Sequence, residues 1–504
     1  MRKRTASWLA EVTGGRVVGG AVEDLGALEV GPDVVIDSRK TTAGALFVAL
    51  QGEHVDGHDF VESARDGGAG AALTSRDMGT VLPQVVVEDS LTGLTDLATA
   101  VVADAHQENA LIVLAITGSS GKTSTKDILA QLLEAAGPTV SPVGSFNNEI
   151  GVPLTACGVD RTTRYLVSEM GARGPGHITW LCDIVQPDVS LVLNVGSAHL
   201  GEFGSVEGIA RAKGEIVEAL QDSGWAVLNL DDPRVAAMAG RTSARHAWFT
   251  TTDAPAPSGE LVVRALDAQS DDLQRHSFTL VVDNPGVLEG VPEHSEHSIS
   301  LSLLGSHQVA NAVAAAAAAL VAGVPLETIA STLSALEHRS RWRMELVERA
   351  DGAAVLNDAY NANPDSMRAA LATLARLGES RRRAHPGAHV IAVLGDMLEL
   401  GPDAAHLHHQ VGRAAAEAGA DEVLALGDHA QDLLAGVLEA GGSGRIATRE
   451  EASSLVLRPG DVMLVKASRG LGLERVADAI LSATGAEQNE AKEEQVNVSR
   501  EPHA

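Results

Sequence analysis

The chain of 504 residues is long enough for about three domains, at roughly 150 residues per domain. Its 45% hydrophobic content, 51 glycines and 3% aromatics support cores of Ala, Val and Leu and exclude a mainly disordered chain. The formal charge of −29 opposes non-specific nucleic-acid binding, which needs many cations, but a local pocket can still attract a small anion.

Residues 1–107 alternate short apolar runs, such as Val34-Val-Ile-Asp37 and Ala45-Leu-Phe-Val-Ala-Leu50, with Gly and Asp punctuation. Helices are expected near 59–65 and 91–105, giving a small α/β domain. From Ala110 the pattern changes to strand, glycine-rich turn and long helix, with buried strands expected at 165–168, 189–194 and 226–229. Short apolar strands separated by helices predict a mostly parallel sheet covered on both faces. Between 261 and 304 the period becomes two, which predicts an antiparallel insertion at the edge of this second domain. An alanine-rich helix follows over about 306–322, and another ends near Leu336.

The Arg-rich run 338–343 predicts the linker to a third domain, with short strands at 353–357, 390–394, 422–425 and 462–466. The expected domains are therefore 1–107, 108–338 and 339–485, with a disordered polar tail at 486–504. Cys157 and Cys182 cannot build a disulfide framework and read as buried thiols of a cytoplasmic protein. Glu11 interrupts the N-terminal region before any signal-like apolar run. Gly323 and Pro325 cut the longest apolar stretch short of a membrane span.

The strongest chemical signal is Leu111-Ile-Val-Leu-Ala-Ile-Thr-Gly-Ser-Ser-Gly-Lys-Thr-Ser-Thr-Lys126. A strand runs into a small-residue turn (Thr117, Gly118, Ser119, Ser120, Gly121) and then a helix opening with Lys122, Thr123 and Ser124. Backbone N–H groups at such a helix start can surround phosphate oxygens. The lysine can reach the terminal phosphates, and the Thr123 hydroxyl can ligate Mg²⁺. Ile116 replaces the glycine that opens the usual form of this loop, so it is a variant. Glu169 and His199 fall at or beyond buried strands, the ligand-binding edge of a parallel sheet. Read alone they could be a helix-capping acid and a turn residue; beside the loop they become candidate Mg²⁺ ligands or phosphate-orienting groups. Lys213 could be a solvated helix lysine. Only seven of the 38 basic residues are lysine, however, which suggests that some of Lys122, Lys126, Lys213 and Lys466 need an amine. The run His406-Leu-His-His409 reads as a helix surface rather than a metal site.

Thr117–Thr123, Phe146-Asn-Asn-Glu-Ile-Gly-Val-Pro153, Glu169-Met-Gly171, Ala198-His-Leu-Gly-Glu-Phe-Gly204, Ala212-Lys-Gly-Glu215 and Gly305-Ser-His-Gln-Val-Ala-Asn311 resemble the Mur ligase family. So do Asp37-Ser-Arg39 and Asp56-Gly-His-Asp-Phe60 before them, and Asp358–Pro364, Gly395–Gly401 and Lys466–Gly470 after them. The resemblance covers everything but the tail. It implies ATP-dependent amide-bond ligation, extending the peptide stem of the bacterial cell-wall precursor through an acyl phosphate. Tyr360-Asn-Ala-Asn-Pro364, Gly395-Asp-Met-Leu-Glu-Leu-Gly401 and Lys466-Ala-Ser-Arg469 resemble the branch whose substrates are UDP-N-acetylmuramoyl-tripeptide and D-alanyl-D-alanine.

By that resemblance Lys122 holds the β- and γ-phosphates, and Thr123 and Glu169 hold Mg²⁺. His199 helps with a second Mg²⁺, and Lys213 is carbamylated to give a metal-binding anion. Asn311 lies near the adenine, and Arg341 and Asp358 touch the nucleotide on closure, although Ser340 stands where the family usually has Gly. Ser38 and Arg39 contact the UDP portion, and Asn147 and Asn148 the substrate near the phosphate. Tyr360, Asn361 and Asn363 face the dipeptide or, alternatively, stabilise the turn before Pro364. The resemblance further implies a monomer.

Overall fold

The computed structural model describes residues 1–20, 24–196, 203–255 and 257–483. Val34–Val35, Leu46–Val48, Ala71–Thr74 and Gln84–Val86 pair in parallel, and Arg16–Val18 adds an antiparallel edge. Every residue of Leu46–Val48 and Ala71–Thr74 is buried, which is why these strands read as unbroken apolar runs rather than alternating ones. The helix expected at 91–105 runs over Ser90–Asn109. Asp89 caps it, its Oδ1 accepting from Thr92 N at 2.7 Å. Its Leu94, Leu97 and Val101 stripe belongs to one apolar core with Leu46 and Leu73 of the first sheet and with Val113, Leu166 and Ile178 beyond it. The helix therefore joins the first unit to the second.

The second sheet has nine strands, ordered His294–Leu304, Arg275–Asp283, Leu261–Ser270, Arg245–Thr250, Trp225–Asn229, Val189–Val192, Ile112–Thr117, Tyr165–Glu169 and Thr139–Val140. The expected antiparallel insertion is a continuation of this sheet: Leu261–Ser270 pairs in parallel with Arg245–Thr250, and only the last two pairings are antiparallel. Ile112–Thr117 lies between Val189–Val192 and Tyr165–Glu169, so connections leave it in both directions. The carboxyl end of such a strand opens a crevice. Behind it the alanine-rich helix His307–Val321 packs into one apolar core with Lys122–Glu134, since methyl side chains allow the two backbones to approach closely. Gln131 ties this layer to the linker, donating to Glu337 O at 3.1 Å and accepting from Glu337 N at 2.9 Å.

The third sheet is ordered Glu345–Glu348, Ala354–Asn357, Val462–Lys466, Val390–Leu394, Glu422–Ala425 and Gly444–Ile446, parallel except for its first strand. Between the second and third sheets, Arg339 pairs with Glu134 at 2.6 Å, and Trp342 and Met344 take positive φ of 61° and 52°. That backbone region is unfavourable for bulky residues, so packing around the linker holds this turn. Across the interface Arg383 meets Asp272 at 2.9 Å, and Leu273 packs on the third domain's core. Cys157 and Cys182 are buried free thiols, and burial pushes Cys157 up to about 12. No helix among the described residues is long and apolar enough to cross a membrane. The segment 486–504, expected to be a disordered tail, lies outside the described residues.

Candidate active site

A cavity of about 510 Å³ lies where the carboxyl ends of the second and third sheets face each other. On one wall, the turn after Ile112–Thr117 passes Gly121, at φ 82°, into the helix Lys122–Glu134. Ser119 N donates to Asn194 O at 3.1 Å, Ser120 N to Asn194 Oδ1 at 3.0 Å, and Thr117 Oγ1 to Met170 O at 3.1 Å. The two neighbouring strands thus fix the loop. Asn194 had gone unremarked in the sequence, although it ends the apolar run Leu191-Val-Leu-Asn194 at the ligand edge.

A Cβ on Gly121 would stand 2.6 Å from Asn311 Oδ1. Gly121→Ala is therefore expected to cost about 1–2 kcal/mol from its left-handed backbone alone, and to displace Asn311. Urea unfolding measures the first effect, and nucleotide titration checks for the weaker affinity that goes with the second.

Glu169 ends the strand Tyr165–Glu169 and is 1% exposed. Its Oε1 accepts from Thr123 Oγ1 at 3.2 Å, Ser145 Oγ at 2.8 Å and Asn147 Nδ2 at 2.9 Å. Its Oε2 is buried with no hydrogen-bond partner among the described residues. An unpartnered buried carboxylate oxygen is costly, and beside the Thr123 hydroxyl it suits a hard divalent cation with oxygen ligands. Ser145 is a member of this cluster that the sequence did not single out. Asn148 is occupied differently, its Oδ1 accepting from Gly151 N at 2.9 Å, although it also lines the cavity.

Lys122 Nζ donates to Gly118 O at 2.6 Å. Burial lowers its pKa, Glu169 opposing that shift and Arg343 adding to it. Lys213 closes the helix Val206–Lys213 and is 3% exposed. Burial, then repulsion from Lys122, hold its pKa well below the ordinary lysine value, and it forms no ion pair among the described residues. Its neighbours are structural. Arg241 crosses the helix end to donate to Ala210 O and Arg211 O, leaving no room for a side chain on Gly214. Glu215 accepts from Gly176 N at 2.7 Å and Thr179 N at 3.1 Å, at the start of the helix His177–Val185. His199 lies in 197–202, outside the described residues.

On the opposite wall Lys466, 2% exposed, donates to Asp358 Oδ2 at 2.5 Å and Asn361 O at 2.8 Å. Asp358 Oδ1 accepts from Met344 N at 3.0 Å, tying the linker to this pair. Asn363 caps the helix Pro364–Ala384 in a reciprocal arrangement with Ser366, while Tyr360, Asn361 and Asn363 also line the cavity. Lys126, by contrast, is committed to Asp127 at 2.5 Å and Pro142 O at 2.9 Å.

The structure does not bring every candidate to this cavity. Arg341 is exposed, its guanidinium 5.2 Å from the Trp342 ring centre, and is not among the lining residues. The cavity instead receives Arg343, whose guanidinium lies 4.0 Å over the Tyr360 ring and whose Nε is buried without a hydrogen bond among the described residues. The positive φ at Trp342 turns the backbone between these arginines, a feature that residue types alone do not announce. Ser38 and Arg39 lie in the first domain, outside this cavity; Arg39 is exposed and pairs with Asp37 at 2.9 Å, holding that carboxyl at about 2. Of the histidine run, His408 is buried between Ala404 O and Met397 N and stacks on His429, and His409 pairs with Glu439.

Residues 33–111 match the family described as "Mur ligase family, catalytic domain". Residues 116–319 match "Mur ligase middle domain", and 342–469 match "Mur ligase, glutamate ligase domain". The chain is 40% identical, over 96% of its length and 98% of the relative's, to a Mycobacterium tuberculosis protein named UDP-N-acetylmuramoyl-tripeptide–D-alanyl-D-alanine ligase. It is 36% identical, over 89% and 93%, to the Escherichia coli protein of the same name. Among solved structures it resembles MurF from Acinetobacter baumannii, with a TM-score of 0.80 at 30% identity, covering 96% of this chain and 100% of that one. It also resembles MurF ligase from Thermotoga maritima in complex with ADP, with a TM-score of 0.71 at 28% identity, over 91% and 98%. The phosphate-type loop, the three sheets and the full-length likeness agree, and the chain belongs to the Mur ligase family.

Proposed function

We propose that this protein uses ATP to join D-alanyl-D-alanine to UDP-N-acetylmuramoyl-tripeptide, releasing ADP and phosphate. The observation that carries the reading is the single cavity in which the Lys122 loop and Glu169 face Asp358, Tyr360 and Lys466. A carboxylate must gain a leaving group before an amine can displace it. A site that brings a phosphate loop against a second substrate-binding wall suits that two-step chemistry.

In this reading the first domain, 1–107, holds the UDP portion through Ser38 and Arg39, 108–338 carries the ATP chemistry, and 339–485 holds the dipeptide. The loop Thr117–Ser124 and the start of its helix cradle the phosphates. Lys122 stabilises the negative charge that grows on the transferred phosphoryl group. Asn311 bounds the adenine side, Asp358 lies near the nucleotide, and Asn147 and Asn148 orient the substrate carboxylate. Arg343, which lines the cavity, takes the nucleotide-touching role that the family resemblance implied for Arg341. Mg²⁺ fits Thr123 and the unpartnered oxygen of Glu169 and, when bound, neutralises phosphate charge. His199 and a carbamylated Lys213 complete the proposed cation-binding set. Tyr360, Asn361 and Asn363 shape the dipeptide's side of the cavity. The protein then acts in the cytoplasm, as a monomer, in peptidoglycan synthesis that cell shape and division depend on.

The deciding experiment mixes the protein with UDP-linked tripeptide, ATP, Mg²⁺ and a panel of amine acceptors. Pentapeptide product and phosphate release are expected with D-Ala-D-Ala. Release with L-lysine or diaminopimelate instead would reject this reading in favour of another ligase.

A further inference from the structure

The acceptor dipeptide in the proposed reaction carries an amine that must reach the acyl phosphate and a carboxylate that takes no part. The carboxylate needs a cation on the third-domain wall, and most cations lining the cavity are either buried in a pair or placed elsewhere. Lys466 is held by Asp358 at 2.5 Å, and Arg173 lies on the second-domain wall, after the strand Tyr165–Glu169, rather than on the third-domain wall. Lys122 sits in the phosphate-type loop, and Arg343, its guanidinium over the Tyr360 ring and its Nε buried, is given to the nucleotide in the reading above.

Arg469 is different. It follows the strand Val462–Lys466 on the third-domain wall, in a turn fixed by Ser468, whose N donates to Asp396 O at 2.9 Å and whose Oγ accepts from Leu398 N at 2.9 Å. Its guanidinium lies 4.4 Å over the Trp342 ring, and one nitrogen meets Glu474 Oε1 at 2.6 Å. Glu474 is 7% exposed, so this contact pins a side chain that is itself 48% exposed. A guanidinium has five N–H donors in a planar fork, more than the contact with Glu474 uses, and the half-exposed side chain lines the cavity. Beside it Leu398, 51% exposed, gives the same wall an apolar surface suited to small methyl side chains.

We propose that Arg469, stacked on Trp342 and pinned by Glu474, receives the terminal carboxylate of the acceptor dipeptide and so sets its orientation. The inference rests on the ligase reading above. With the carboxylate held on the third-domain wall, the amine is left to point toward the Lys122 loop. No covalent step is added. Arg469 acts as a specificity-determining residue and Glu474 as its positioning residue.

The test compares D-Ala-D-Ala with its C-terminal amide in the wild type, Arg469→Gln and Arg469→Lys proteins, with the KM for ATP as a control. Wild type is expected to prefer the acid over the amide by about 30-fold, the scale of a charged hydrogen bond. Arg469→Gln should raise the KM for D-Ala-D-Ala by a similar factor, abolish the acid–amide preference and leave the KM for ATP nearly unchanged. Arg469→Lys should restore part of that preference. A wild-type enzyme that uses acid and amide equally, or an Arg469→Gln enzyme that keeps the full preference, overturns the inference and leaves the ligase reading intact. Absence of turnover with either acceptor in wild type overturns the ligase reading and this inference together. If Arg469→Gln fails to fold, the wild-type acid–amide ratio and the Arg469→Lys protein still decide.

Discussion

Lys122→Met is expected to lower kcat/KM for ATP by about 10²–10³-fold, the usual scale for removing one preorganised charge stabiliser, while leaving thermal stability nearly unchanged. The amine donates to Gly118 O at 2.6 Å, and its pKa is lowered by burial. Methionine has a similar length and no charge, so the folded protein loses one loop hydrogen bond and also one poorly solvated cation. These effects oppose each other in stability. In catalysis nothing opposes the loss, because negative charge grows on phosphate oxygens as the phosphoryl group transfers. Steady-state kinetics with varied ATP, together with thermal unfolding, separate the two effects. Activity within tenfold of wild type would remove Lys122 from this role.

The stability half of that expectation depends on a detail the sequence does not carry, namely where the amine points before nucleotide arrives. The strand–turn–helix around Lys122 was legible because it is local: six apolar residues, five small ones, then a helix whose first residues are polar. The three α/β units were legible for the same reason, as runs such as Val390–Leu394 are buried on both faces and need no distant partner to be recognised. What stayed hidden is set by tertiary contact. Thr139–Val140 is a two-residue strand with no periodicity to read. Leu261–Ser270 does alternate, but its parallel pairing with Arg245–Thr250 is a matter of sheet order. Arg341 and Arg343 look alike in a run of arginines. The turn at Trp342 and the Tyr360 ring beneath Arg343 put Arg343 rather than Arg341 against the cavity, and both depend on how the third domain docks. Glu169 and Lys213 were singled out by motif and by lysine scarcity. The orphan oxygen of Glu169 among the described residues, and the burial of the Lys213 amine beside another cation, appear only once the chain is folded.

Activity should also depend on carbon dioxide through Lys213. A buried cation beside another cation is unfavourable, and both effects hold the Lys213 amine well below its ordinary pKa. The neutral amine is the form that attacks CO₂. A bond forms from Nζ to the carbon, one proton leaves, and the side chain ends as an anion that attracts Lys122 where the ammonium repelled it. Removing dissolved CO₂ and bicarbonate is therefore expected to lower turnover, and adding bicarbonate to restore it. Lys213→Arg and Lys213→Ala should each fall by about 10²-fold or more and lose that response, since a guanidinium stays protonated and a methyl cannot react. The sign of the pH effect follows from the same shift. As pH falls through the lowered Lys213 pKa the amine protonates, the carbamate is lost and turnover drops. Raising pH through the same range restores it, and the Lys213→Ala enzyme lacks this limb. Measuring kcat against pH at fixed bicarbonate, in wild type and Lys213→Ala, checks both arms. A wild-type enzyme indifferent to bicarbonate, or a Lys213→Ala enzyme near wild-type activity, removes the carbamate while leaving Lys122 and Glu169 in their proposed roles.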